Sequence, residues 1–262
     1  MTAGRGRRKR GIPPPWEFPP ALLPGPDSPV PGPAGANARH GPVLAATGIG
    51  AAALLGLSLS ARPGSLRFYI LTTGLAGTWA TGALSSGPLP LGRPGSRPGA
   101  RAVVMPVLTG AAAFGLFSGA ARLAQHIPPL SRAIGNVLEY ADGGARPLVL
   151  LIASTSAVAE ELFFRGALWT ATRPHPLITT TLAYAATTAA TRNPALLLAG
   201  TATSVLFGLQ RRTTGGILAP TLSHVTWSLL MLTCLPPPGP PGPAGRAGSR
   251  RAARRARLGA GG

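Results

Sequence analysis

Apolar residues along this chain gather into long blocks, separated by short stretches in which arginine, proline and glycine collect. The blocks span about 43–60, 68–86, 102–124, 147–169, 177–190, 194–209 and 217–235. A helix of roughly 20 apolar residues crosses the hydrocarbon of a bilayer. The pattern therefore predicts an all-α fold, a polytopic transmembrane bundle of about seven to eight helices, with 177–190 as its weakest span. The first three blocks are rich in alanine and glycine, which suits close helix packing in lipid. They hold no acid and no histidine, so residues 43–125 read as scaffold. Residues 126–146 carry His126, Arg132, Glu139 and Asp142 and read as a polar connector, with a short interfacial helix over 130–140. The ends, 1–42 and 236–262, are basic and rich in proline and glycine, a composition expected to be disordered. Arg5, Arg7, Arg8, Lys9 and Arg10 resemble the start of a signal peptide. No apolar run follows them before about residue 43, so a cleaved signal is not expected.

Composition strengthens the membrane reading. Charged residues are 12% of the 262 and hydrophobic residues 45%, which separates the chain from a soluble globule. The net charge of +19 could point to nucleic acid. Its arginines, however, lie mostly in the tails and in loops between apolar blocks, where anionic lipid headgroups are the expected partner and nucleic acid is not. Basic residues divide evenly between the two sides of a seven-span bundle, so charge does not orient it. Cys234 is the single cysteine, which excludes an intrachain disulfide and a cysteine metal cluster. The arginine-dominated, Ala/Gly/Pro-rich composition suits a GC-rich bacterial genome, and hence an integral, multi-pass protein of a bacterial plasma membrane.

The chemistry concentrates in 154–166, inside the fourth block. The chain has six acidic residues, and Glu160 and Glu161 lie here together with Arg165. An ionised side chain at the centre of a membrane helix costs about 2.5–3.5 kcal/mol on insertion scales, so such residues are read first as functional. Glu161 and Arg165 are four apart in the favourable acid-first order and can neutralise each other. Glu160 points about 100° away around the helix, with no evident local partner. That makes it the candidate general base. The plainer alternative is a structural knot of three charges between helices. In the last block, Thr221, His224 and Ser228 share one face. A lone histidine in an apolar helix is usually a core residue. A glutamate on a second helix gives this one further meaning, because the two together can polarise a water and stabilise an oxyanion.

Glu160-Glu161-x-x-x-Arg165, followed about sixty residues later by His224-x-x-x-Ser228, resembles the CPBP family of membrane proteins. These are the type II CAAX prenyl endopeptidases and the bacteriocin-processing or self-immunity proteins. Phe163-Phe164-Arg165-Gly166 and the turn Arg211-Arg212-Thr213-Thr214-Gly215-Gly216 belong to the same likeness, which covers 147–235 as a protease core. The resemblance implies that Glu160 activates the attacking water, that Glu161 and Arg165 support the site, and that His224 helps to bind the oxyanion. The family pattern is EExxxR, then FxxxH, then HxxxN. This chain departs from it twice. Tyr184-x-x-x-Thr188 stands where Phe-x-x-x-His is usual, and Ser228 replaces asparagine. Tyr184 and Thr188 thus become candidates for the water or substrate site. The family's metalloprotease label implies a divalent ion such as zinc, held if at all by Glu160 and His224. A conventional three-ligand zinc site is not expected, because adjacent glutamates rarely reach one ion. His175, flanked by two prolines, reads as an interfacial loop residue.

The leading expectation is an integral membrane endopeptidase that cleaves a membrane-associated protein or peptide through glutamate-activated water. Two alternatives stand beside it. One is a pseudoprotease that binds a membrane partner, favoured by the missing histidine. The other is a proton-coupled transporter using Glu160 and Glu161, disfavoured by the lack of a visible repeat.

Overall fold

The computed structural model describes residues 36–92, 99–172 and 174–235, with backbone alone for residues 36–40 and Asp142. The expected tails at 1–35 and 236–262 lie outside the described residues. Among those described, the chain is helical with no strand. The helices are α1 (Ala36–Ser58), α2 (Leu66–Leu84), α3 (Ala100–Ala124), α4 (Pro128–Asp142), α5 (Arg146–Ala171), α6 (Pro176–Ala189), α7 (Pro194–Thr214) and α8 (Leu218–Cys234). Helix α1 thus begins inside the stretch read as tail and carries Pro42 within it.

Local chemistry sets the ends. Four helices, α4 to α7, start with proline in the first two positions, where its missing N–H costs nothing and its fixed φ is already helical. Ser65 caps α2 by accepting the Phe68 amide. Asn193 caps α7 by accepting from the amides of Ala195 and Leu196, both at 3.0 Å, while its own amide nitrogen donates to the Ala133 carbonyl on α4. Helix α7 ends at Gly215, whose φ of 73° is the left-handed conformation that glycine adopts without strain.

Among the described residues, three helical stretches are long and apolar enough to cross a membrane: Gly41–Ser58, Ala100–Ala124 and Arg146–Ala171. The other four apolar blocks form helices of 19, 14, 21 and 17 residues that fall short in length or in apolarity. At about 1.5 Å per residue, the fourteen residues of α6 span roughly 21 Å, less than a bilayer core of about 30 Å. Large apolar side chains stud the outside, including Ile49, Ile70, Leu116, Leu123, Leu182 and Leu198, a surface suited to lipid.

The core lies between α1, α2 and α5. Trp79 packs on Phe163 and Phe164 with ring centroids 4.6 and 4.9 Å away, and Leu44 and Leu75 close around them. Helix α3 docks on α8 at Gly110, where a Cβ would lie 2.5 Å from the Ser223 carbonyl oxygen. A strap following α2 then crosses the start of α8, with the amides of Ile217 and Leu218 donating to the carbonyls of Pro90 and Leu91. These contacts bring α5, α6, α7 and α8 around one buried polar cluster.

Candidate active site

Helix α5 changes pitch where the cluster begins. Arg146–Glu161 is α-helical, Leu162–Leu168 winds as a π-helix, and Trp169–Ala171 returns to α. A π segment widens the helix and loosens its backbone bonding. Here the Arg165 carbonyl accepts a hydrogen bond from Arg211 Nε of α7 at 2.8 Å. Arg165 reaches the other way, its Nη2 donating to the Ser204 carbonyl of the same α7 at 3.1 Å. Two arginines thus stitch α5 to α7 through backbone carbonyls, and the Arg211 guanidinium also lies 5.6 Å from the Trp169 ring.

Glu161 is the hub. Both it and Arg165 are fully buried, and Arg165 Nη1 donates to Glu161 Oε1 at 3.1 Å, the pairing expected from the spacing. The same oxygen lies 2.9 Å from His224 Nδ1 on α8. An ionised carboxylate only accepts, so Nδ1 carries the hydrogen in that contact. Phe207 stacks on the imidazole at 4.9 Å, and the rings of Tyr184 and Phe207 lie 5.4 and 5.7 Å from the Arg165 guanidinium carbon. These π faces surround a cation removed from water.

Glu160 has a different environment. It is half-buried, and Tyr184 of α6 donates its hydroxyl to Glu160 Oε2 at 2.6 Å. The absence of a local partner held within α5 but not across the bundle. Among the described residues no hydrogen bond engages Glu160 Oε1.

The remaining candidates divide. Thr188 is buried, and its hydroxyl donates to the Tyr184 carbonyl at 2.8 Å, so it serves its own helix rather than Glu160. Ser228 lies one turn beyond His224 and, among the described residues, has no hydrogen bond to the cluster. Thr221 donates to the Ile217 carbonyl, and exposed His175 sits at the start of α6. Sequence reasoning gave Arg211 no role beyond the turn before the last helix, and missed a second polar chain in which Gln210 donates to Ser223 Oγ and Ser223 to the Pro106 carbonyl, each at 2.8 Å. Neither carries a signal at helical spacing, because their partners lie on other helices. A cleft of about 500 Å³ lies between α1, α5 and α6, walled by Leu44, Gly48, Phe164 and Ala183, and Glu160 does not line it.

The donor set does not fit a zinc ion. Among the described residues no three His, Cys, Asp or Glu side chains converge. His224 is engaged through Nδ1 by Glu161, and Glu161 already faces a guanidinium. Among the carboxylate oxygens of the cluster, Glu161 Oε2 and Glu160 Oε1 lack a hydrogen-bond partner among the described residues, where zinc wants three protein ligands.

Residues 143–230 match the family model for type II CAAX prenyl endopeptidases, Rce1-like. The matched stretch contains every residue of the cluster. No curated protein and no solved structure matches the chain.

Proposed function

We propose, from the match of residues 143–230 to the Rce1-like family model, that the protein is a multi-pass membrane endopeptidase of the CPBP type. It hydrolyses a peptide bond of a membrane-associated protein or peptide, with Glu160 as general base. The observation that carries this reading is the division between two adjacent carboxylates. Glu161 is spent on Arg165 and His224, whereas Glu160 is half-buried and keeps Oε1 free of hydrogen bonds among the described residues.

Glu160 takes a proton from water as the hydroxyl adds to the scissile carbonyl carbon. It returns that proton to the departing amine as the C–N bond breaks. His224, held by Glu161 through Nδ1, presents Nε2 as its remaining polar atom. In this reading Nε2 is the donor to the oxyanion, beside the Glu161–Arg165 pair. Ser228 is the auxiliary donor on the same helix. No step is routed through a metal, because the side chains present do not form a site for one.

A second reading is a pseudoprotease that binds a membrane partner without cutting it. It is favoured by Thr188, whose hydroxyl is turned to its own backbone and shares no water with Glu160. One experiment separates the two. Protein N-termini are compared by mass spectrometry in membranes expressing wild type or Glu160→Gln. Termini present only with wild type are expected, and they name the substrate. Identical termini at matched expression reject the protease reading and leave the binding protein.

A further inference from the structure

We infer that Tyr184 is the positioning residue of the catalytic base: it pins Glu160 through Oε2, so that Oε1 is the oxygen that takes the proton from water. This rests on the protease reading and adds the device that aims its base. A carboxylate on a helix surface rotates freely about its last bond and offers either oxygen. At 2.6 Å, the bond from the Tyr184 hydroxyl has the short length of an O–H donor on an ionised acceptor. It crosses from α6 to α5 and therefore fixes the carboxylate against a second element.

The donor is itself held. Phe164 packs on the Tyr184 ring at 4.8 Å, and the Arg165 guanidinium lies 5.4 Å from its centroid. On the α7 side the ring is seated against Gly200, where a Cβ would lie 2.9 Å from Tyr184 Cε1. The phenol has little room to turn away. Tyr184 also joins the two carboxylates, touching Arg165, the partner of Glu161, with its face and Glu160 with its hydroxyl. Thr188, one turn on, does not take this place, because its hydroxyl is bonded to the Tyr184 carbonyl.

The test uses the full-length protein in detergent and a peptide spanning a cleavage site identified as above. Tyr184→Phe keeps the ring and removes the donor. A hydrogen bond to a charged group contributes about 1.5–3 kcal/mol, so kcat is expected to fall roughly 10- to 100-fold. KM should stay within about twofold and the melting temperature near wild type, since packing is kept. Gly200→Ala displaces the ring without touching its chemistry and should reproduce the kcat loss. Wild-type kcat in Tyr184→Phe overturns the inference. Should Tyr184→Phe fail to fold, 3,5-difluorotyrosine at position 184 keeps the ring and strengthens the donor; an unchanged kcat and pH profile then overturn it. Glu160→Gln in the same assay keeps the two claims apart. If it retains activity, the protease mechanism fails; if it is dead while Tyr184→Phe is unaffected, only the positioning role fails.

Discussion

Glu160 and Glu161 share a side chain and a helix, and one residue of rotation sends them to different neighbours. Glu161 turns into the contact between α5, α7 and α8, where its Oε1 takes both Arg165 and His224. A buried ion pair is poor evidence of net stabilisation, but breaking it from one side is costly, because the other charge is left uncompensated. Arg165→Ala should therefore lose about 3–5 kcal/mol of stability, read as a lower melting temperature in detergent. The double variant Glu161→Leu/Arg165→Met removes both charges but leaves His224 Nδ1 without its acceptor, so it should recover only part of that loss and remain inactive. If Arg165→Ala alone melts like wild type, the pair does not hold the bundle. The intrahelical pairing was legible in the sequence because residues four apart share a helix face. His224 as the second partner was not, because it lies 63 positions away.

Among the elements, each apolar block became a helix, as its length and composition require. The π-helical turn at Leu162–Leu168 was not legible, since its apolar residues fit an α-helix equally well. Within that turn, Arg211 of α7 donates to the Arg165 carbonyl. Arg211→Met should leave that carbonyl unpaired and cost about 1–3 kcal/mol, seen as earlier thermal unfolding. Close approach of α3 to α8 depends likewise on Gly110. Gly110→Ala forces those backbones apart, and overpacking of this kind costs about 1–3 kcal/mol. An unchanged melting curve for Gly110→Ala would show that the two helices can slide apart freely.

At the scale of the molecule, three helices of spanning length among the described residues and an apolar exterior make a bilayer the expected solvent. Urea washes should leave the protein in the membrane pellet, and detergent should release it; release by urea alone would contradict the membrane reading. Outside these spans, α4 is tied to the loop after α1 by Tyr140, whose hydroxyl faces the carbonyls of Leu59 and Ala61 at 2.6 and 2.8 Å. Burial, and then the neighbouring Glu139 carboxylate, raise the Tyr140 pKa above its ordinary value near 10.0. The folded state thus holds this proton more tightly than the unfolded one. Its contribution is intact below about pH 10 and is lost as pH rises through the folded value. Melting temperatures measured upward from pH 9 or so should fall less steeply in Tyr140→Phe than in wild type.

Read alone, the sequence determined the properties carried within single helices: the apolar blocks, the proline starts, the Glu161–Arg165 pair and the helix that bears His224. Each is fixed by spacing of a few residues, which helical geometry converts directly into a shared face. Tertiary structure decided which carboxylate is neutralised by which partners. It set Tyr184 on Glu160 across 24 positions and Arg211 on the Arg165 carbonyl across 46, and it gave Thr188 to its own backbone. Such contacts depend on how α5, α6, α7 and α8 lean on one another. That packing is set by side-chain volume at Gly110 and Gly200 and by a local change of helical pitch, which no single helix encodes.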